Sequence, residues 1–299
     1  MNNTFEYTAG YIDGDGCFYV DKTINKKTNN AKYRALLIIS STNKEVLDFF
    51  AYKYGGRVQL VSKREKYPGQ KAQYHYTIRH KEALNLTKNI LPFLVEKRKQ
   101  AELFCDFINT TSKETKNFLI DTLRDAKHNQ DLVKQSQKEE FIKTSSTIAP
   151  NQSDYAYFAG FIDAECCMTI QKYIPKGRDQ HVFKIQLACN NSKAPIFKWL
   201  IERFGGGLNF INRHASNKKH RDQFMWRISS RVLSKVLPKI QQFLRYKKPV
   251  CEKLIEFYTL TIPNGGDRQS EAFKKANASI LALKLDIVNE VHKLNLKGI

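Results

Sequence analysis

The apolar positions of this chain follow two periods, helical and alternating, in a fixed order. Small and apolar residues crowd together over Tyr7–Gly14, as in a short buried helix; Cys17–Ile24 and Lys32–Ser40 then read as strands joined by the polar turn NKKTNN. Asn43 is placed to cap a helix over Glu45–Tyr54 that stops at Gly55-Gly56. Arg57–Lys63 and Lys71–Arg79 form a second hairpin around YPGQ. In its last strand Lys71, Gln73, His75, Thr77 and Arg79 alternate with Ala72, Tyr74, Tyr76 and Ile78, so one sheet face is polar and basic and the other is packed.

The pattern returns at an offset of 150 residues. Tyr7, Ala9, Gly10, Ile12, Asp13 and Cys17 recur as Tyr157, Ala159, Gly160, Ile162, Asp163 and Cys167, and Asp15 recurs as Glu165, which keeps the carboxylate. Phe49–Gln59 matches Trp199–Asn209, and Gln73, Ile78, Phe93-Leu94 and Lys97 match Gln223, Ile228, Phe243-Leu244 and Lys247. No gap is needed, so the chain reads as two folding units of one design. The expected division is a first unit over 1–109, a polar joint over 110–154, a second unit over 155–260 and a helical extension over 261–299. A helix is expected in the joint around Phe118, Leu119 and Leu123. In the extension Phe273, Ile280, Leu283, Ile287, Val291 and Leu294 recur at helical spacing, as in a helix packed on the second unit. The fold class expected is α+β: in each half a helix, two strands, a helix, two strands and further helices.

Composition narrows the function. With 41% apolar and 12% aromatic residues the 299-residue chain has ample core, and disorder is not expected. No apolar run is long enough to cross a membrane, and MNNTFEYTAG lacks the basic-then-apolar order of a secretory signal. The six cysteines form no CxxC pair or zinc spacing and read as small buried hydrophobes in a reducing compartment. The 50 Lys and Arg against 29 Asp and Glu give a net charge of +21, which favours a polyanionic partner, nucleic acid before an anionic membrane.

Chemistry concentrates in TAGYIDGDG (Thr8–Gly16) and FAGFIDAEC (Phe158–Cys166). Carboxylates at a helix C-terminus oppose its dipole, so a local stabilising role is weak. Gly10 and Gly14, like Gly160 and Ala164, lie four apart on one helical face and let two backbones approach closely. Helices packed side by side about a pseudo-two-fold axis bring Asp15 and Glu165 to one end, where they repel unless protonated or separated by cations. Divalent metal resolves the repulsion, and two such ions can activate water and stabilise a leaving oxygen in phosphodiester hydrolysis.

These paired motifs resemble those of the LAGLIDADG homing endonucleases, in the single-chain form that carries two copies; the resemblance covers both repeats. It implies αββαββα units whose two antiparallel sheets form a saddle over the major groove of a long, nearly asymmetric double-stranded DNA target. It also implies a monomer with no obligate protein partner, which cuts both strands across the minor groove and leaves short 3′ overhangs. The cofactor implied is Mg²⁺, with Mn²⁺ as a substitute and Ca²⁺ as an ion that binds without supporting cleavage. An intron-borne origin is implied, in a mitochondrion, a chloroplast or another intracellular setting rather than a secreted one.

Carried over residue by residue, the resemblance makes Asp15 and Glu165 metal ligands and gives Asp13 and Asp163 a structural role. Cys166 departs from the Gly found at the motif's end, matched by Gly16, and is expected to alter the turn there. Ser41 and Asn191 match the polar position that orders the nucleophilic water, with Ser40 or Asn190 as alternatives. An active-site lysine is expected after the third helix. The repeat pairs Lys97 with Lys247, whereas family spacing points to Lys99, leaving Lys247 or Lys248 in the second half.

Candidate DNA contacts in the first unit are Lys32, Arg34, Arg57, Gln59, Lys63, Lys71, Gln73, His75 and Arg79. In the second they are Gln171, Lys184, Gln186, Asn190, Asn209, Arg213, Lys218, Lys219, Arg221, Gln223 and Arg227. Two other functions fit the same scaffold: an intron maturase, with intron RNA as partner, and a catalytically silent DNA-binding regulator. No GxGxxG, Walker A, HExxH or Ser-His-Asp order is present.

Overall fold

The structure is a computed structural model that describes residues 3–62, 71–129, 131–143, 148–177, 181–215, 219–260 and 270–297. The first unit runs α1 (Thr4–Asp15), β1 (Gly16–Ile24), β2 (Ala31–Ser41), α2 (Lys44–Tyr54), β3 (Arg57–Ser62), β4 (Gln73–Arg79), α3 (His80–Ile90) and α4 (Arg98–Asn109). After α5 (Lys113–His128) and α6 (Gln137–Lys143), the second unit repeats the order as α7 (Gln152–Glu165), β5 (Cys166–Tyr173), β6 (Val182–Asn191), α8 (Ala194–Phe204), β7 (Gly207–Ile211), β8 (Gln223–Ile228), α9 (Ser230–Ile240) and α10 (Lys248–Thr259). The last element is α11 (Glu271–Lys297).

Each unit holds one antiparallel four-stranded sheet, with order β1-β2-β4-β3 in the first and β5-β6-β8-β7 in the second. The alternation read from sequence is realised: Tyr76 and Ile78 of β4, and Phe224, Trp226 and Ile228 of β8, are buried under the helices. Asn43 caps α2 by accepting the Val46 N–H at 3.0 Å, as its position before the helix predicts.

Helices α1 and α7 join the units. From Tyr7 to Asp13 every residue of α1 is buried, and α7 is buried likewise from Tyr155 to Asp163. A Cβ on Gly10 would lie 1.9 Å from the Tyr157 carbonyl oxygen, and one on Gly160 would lie 1.9 Å from that of Tyr7. Any side chain at either position would force the helices apart, so the glycines set the spacing. Gly14 faces Ala164 at the next turn, and both helices therefore end side by side.

The joint is more structured than an inter-unit linker needs to be. Leu119 and Leu123 of α5 are buried, whereas Phe118 of the same helix faces solvent, because the helix rests on α4 and β1 by one face only. Beyond α5 the chain reaches the second unit, where Val133 N–H donates to Ser192 O and Ala194 N–H to Asp131 O. Helix α11 packs on α10 and β5, burying Ile287 and Val291 while Leu283 stays exposed.

Candidate active site and nucleic-acid interface

The buried carboxylates Asp13 and Asp163 build the frame of the site. Asp13 accepts the N–H groups of Val95, Glu96 and Lys97 (2.7, 3.1 and 2.8 Å) and the Tyr157 hydroxyl at 2.6 Å. Asp163 does the same for Arg245, Tyr246 and Lys247 (2.8, 3.1 and 2.7 Å) and for the Tyr7 hydroxyl at 2.8 Å. Each tyrosine reaches across the pseudo-two-fold, so the clamps lock one unit to the other as well as fixing the loop before α4 or α10. Burial pushes both carboxyls above the usual range, and the hydrogen bonds that they accept pull them back.

The clamped loops deliver Lys97 and Lys247. Lys97 Nζ donates to the Ile12 and Gly14 carbonyls at 2.9 and 3.0 Å, and Lys247 Nζ to those of Ile162, Asp163 and Cys166 at 2.7, 3.0 and 2.7 Å. An ammonium on the carbonyls of a helix's last turn is favourable. Here it also sets positive charge beside the terminal carboxylates. Lys99, the residue favoured by family spacing, lies instead on the outer face of α4, with its side chain 59% exposed and Glu102 4.0 Å away. In the second half Lys247 is the lysine brought to the helix end, and Lys248 is exposed at the start of α10. Position 97 immediately precedes α4 and turns back toward α1, whereas residue 99 already follows the helix outward.

Asp15 and Glu165 end α1 and α7. Desolvation by burial raises the Asp15 carboxyl to about 6 against the pull of Lys97 and Lys247. Glu165 rises to about 7, first through desolvation and then through the negative charge of Asp15. The two acids therefore sense each other across the helix pair, with one lysine from each half acting on both. Among the described residues no three His, Cys, Asp or Glu side chains cluster as a complete metal cage. Two hard-oxygen donors held near each other with their charge disfavoured do fit a divalent cation whose remaining ligands come from water and phosphate.

The flanks of the two carboxylates differ. Beside Asp15 a cavity of about 430 Å³ is lined by Ser40, Ser41, Thr42 and Tyr246, and it extends to Cys166 and Cys167, which follow Glu165. Ser41 is buried, its hydroxyl oxygen accepting from Tyr11 OH at 3.4 Å and from Asn43 N–H at 3.1 Å. On the other flank Asn191 Nδ2 donates to Glu96 at 2.8 Å. Cys166 is disulfide-linked to Cys189, its register partner on β6, with Cα atoms 4.4 Å apart, which corrects the reading of both as free thiols. The turn expectation is also corrected: Gly16 at φ −80°, ψ 153° and Cys166 at φ −91°, ψ 153° share one extended conformation that any residue adopts.

The polar faces of the two sheets carry most of the other candidates. Pairing places Arg57 and Gln59 beside Thr77 and His75, and Lys32 and Arg34 beside Thr23 and Asp21 on β1. Gln73, His75 and Arg79 share the outward face of β4. Arg34 does not stand free, because Asp21 engages its guanidinium through both oxygens and is thereby held below the usual carboxylate range. In the second sheet Gln171 pairs with Lys184, and Asn190, Asn209, Gln223 and Arg227 lie on the corresponding face of β6, β7 and β8. The carbonyl oxygens of Gln186, Asn190 and Gln223 are buried without any hydrogen-bond partner, an arrangement that a partner with donors along its edge would satisfy.

Lys71 and Arg213 are exposed beyond the strand ends, Lys219 lies in the loop between β7 and β8, and Arg221 meets His128 Nδ1 at 3.1 Å. Lys63, Lys218 and the YPGQ turn lie outside the described residues. Sequence reasoning missed Glu96 and Tyr246, which carried no motif. For Lys97 the signal was present in the repeat itself and was outweighed by spacing.

The family model described as LAGLIDADG endonuclease matches residues 8–108. Comparison with curated protein sequences gave no match. Among solved structures, I-SmaMI bound to cleaved DNA aligns with a TM-score of 0.64 and 14% identity, covering 97% of this chain and 95% of its own. I-CpaMI bound to uncleaved DNA aligns at 0.62 and 12%, covering 96% and 97%, and I-GzeII in complex with its DNA target at 0.60 and 15%, covering 92% and 96%. At these identities the likeness is one of fold, and it extends over both units.

Proposed function

We propose, from the premise that this chain is a single-chain, two-repeat LAGLIDADG protein, that it is a site-specific double-strand DNA endonuclease dependent on Mg²⁺. The observation that carries the reading is the pair Asp15 and Glu165 at the joined ends of α1 and α7, set between Lys97 and Lys247 at the meeting of two polar sheet faces. I-SmaMI, whose fold this chain shares, has also been solved on an uncleaved DNA target with calcium ions.

In this reading Asp15 and Glu165 hold divalent metal, which when bound supplies charge neutralisation at the phosphate and an acidified water. Lys97 and Lys247 oppose the negative charge that develops on the phosphate oxygens. Asn191, and Ser41 or the neighbouring Ser40, orient the attacking water by hydrogen bonding. The +21 net charge draws the duplex in, and the amide, imidazole and guanidinium groups of the sheets read base edges in the major groove. An origin in a mobile intron and cleavage to short 3′ overhangs belong to the same proposal.

The test is selection of cleavable sites from a randomised duplex library with Mg²⁺, and with Ca²⁺ as the binding-only control. Recovery of one long, nearly asymmetric sequence cut on both strands with Mg²⁺ alone is the expected result. Specific binding without any cutting would leave a DNA-binding regulator instead.

A further inference from the structure

Glu96 breaks the pseudo-symmetry at the flank of the site. The residue at the same offset in the second half is Tyr246. Both lie in loops clamped by Asp13 or Asp163, and both reach across the pseudo-two-fold into the other unit. Tyr246 is hydrogen-bonded there to the Thr42 side chain, whereas Glu96 Oε2 accepts the Nδ2–H of Asn191.

The Asn191 amide is held at both ends. Its Oδ1 accepts the Lys193 N–H at 3.0 Å while its Nδ2 donates to Glu96 at 2.8 Å, and this fixes which end is the oxygen. Ser41, the matching residue of the first half, is held by Tyr11 and Asn43, neither of them from the clamped loop of the other unit. Glu165, Lys97 and the buried Lys193 all act electrostatically on Glu96, which places it at the edge of the Glu165 flank. Burial holds its carboxyl up at about 8; the neutral acid keeps a carbonyl acceptor for Asn191, so the contact needs no charge.

We propose that Glu96 is a positioning residue for the Glu165 flank alone: it sets the Asn191 amide toward the water that attacks there, and the two DNA strands are cut by half-sites of unequal construction. The proposal rests on the endonuclease reading. Its test is strand-resolved nicking of a supercoiled plasmid that carries the selected target. Glu96→Ala is expected to slow one strand roughly tenfold and the other less than about twofold, a differential between the strands of about five- to tenfold. The slowed strand is the one slowed by Asn191→Ala, and Ser41→Ala biases nicking the other way. Glu96→Gln, which retains an acceptor, restores most of the loss, and DNA binding in Ca²⁺ stays unchanged in both Glu96 variants.

A second readout needs neither metal nor DNA. The Asn191 side-chain NH₂ resonances, identified by their loss in Asn191→Ala, should shift and exchange faster in Glu96→Ala than in Glu96→Gln. Equal slowing of both strands by Glu96→Ala, or Asn191 resonances that do not move, would overturn the proposal. If the unaltered protein cuts no DNA, the endonuclease reading falls, and the resonances still decide whether Glu96 orients Asn191.

Discussion

The Asp15 flank and the Glu165 flank share a frame and differ in their walls. On each side a buried aspartate clamps three backbone N–H groups and a tyrosine from the opposite unit, and the clamped loop returns a lysine to the helix end. What surrounds the frame has diverged: two serines, a threonine and a tyrosine line a cavity beside Asp15. On the other side are an amide, a carboxyl and the end of α5, whose Ala126 carbonyl accepts from Lys193. Duplication thus preserves what must be symmetric, the spacing of two acids and two ammonium groups. The elements on either flank of that frame are left to drift.

The largest expected effect strikes the shared frame. Asp15→Asn and Glu165→Gln should each lower Mg²⁺-dependent double-strand cleavage about 100- to 1,000-fold while DNA affinity in Ca²⁺ is kept, as single-turnover assays and filter binding will measure. If one of the two variants cuts normally, the flanks are not two halves of one centre.

Next in size is the contrast between two nearby lysines. Lys97→Met should slow cleavage on the order of 100-fold, and Lys99→Met, which loses only an exposed contact with Glu102, should stay within about twofold. Comparable losses for both would return these residues to simple phosphate binding.

The clamp also carries a prediction for stability. Asp13→Ala strands the buried hydroxyl of Tyr157 and three loop N–H groups, and urea unfolding should show a loss of about 3 kcal/mol or more. A loss confined to the first unit, seen as two separate transitions, would mean that the tyrosines do not lock the units together.

The smallest effect is a pH dependence of the metal-free protein. Asp15 is raised to about 6, above an unfolded value of about 4, so between those pH values the native state holds more protons than the unfolded one. Its contribution is fully present below the unfolded value and is lost as pH rises through the folded one. Asp15→Asn should therefore gain about 1 kcal/mol near pH 7.5, after allowance for solvent screening at the half-buried site, and nothing near pH 4. A variant less stable than its parent at both pH values would contradict the electrostatic account.

Most of the fold was legible because each signal was local. Alternation marked both sheets, Asn43 announced α2, and the small residues of α1 and α7 announced a close helix pair. The site was legible as far as the repeat reached: Asp15, Glu165 and the pairing of Lys97 with Lys247 all follow from one offset. What the sequence hid depends on contacts between distant segments. The direction of Lys97 is set by Asp13, 84 residues earlier. The Cys166–Cys189 link follows from the β5–β6 register, and Glu96 gains its meaning from Asn191, 95 residues away. Helix α6 escaped because its seven residues carry little periodic signal.

The most direct test of the shared centre is an anomalous-scattering map of the protein crystallised on its uncleaved target with Mn²⁺. Density peaks within coordination distance of the Asp15 and Glu165 carboxylates, between protein and phosphate, are predicted. Bound DNA with no peak at either carboxylate would contradict the account.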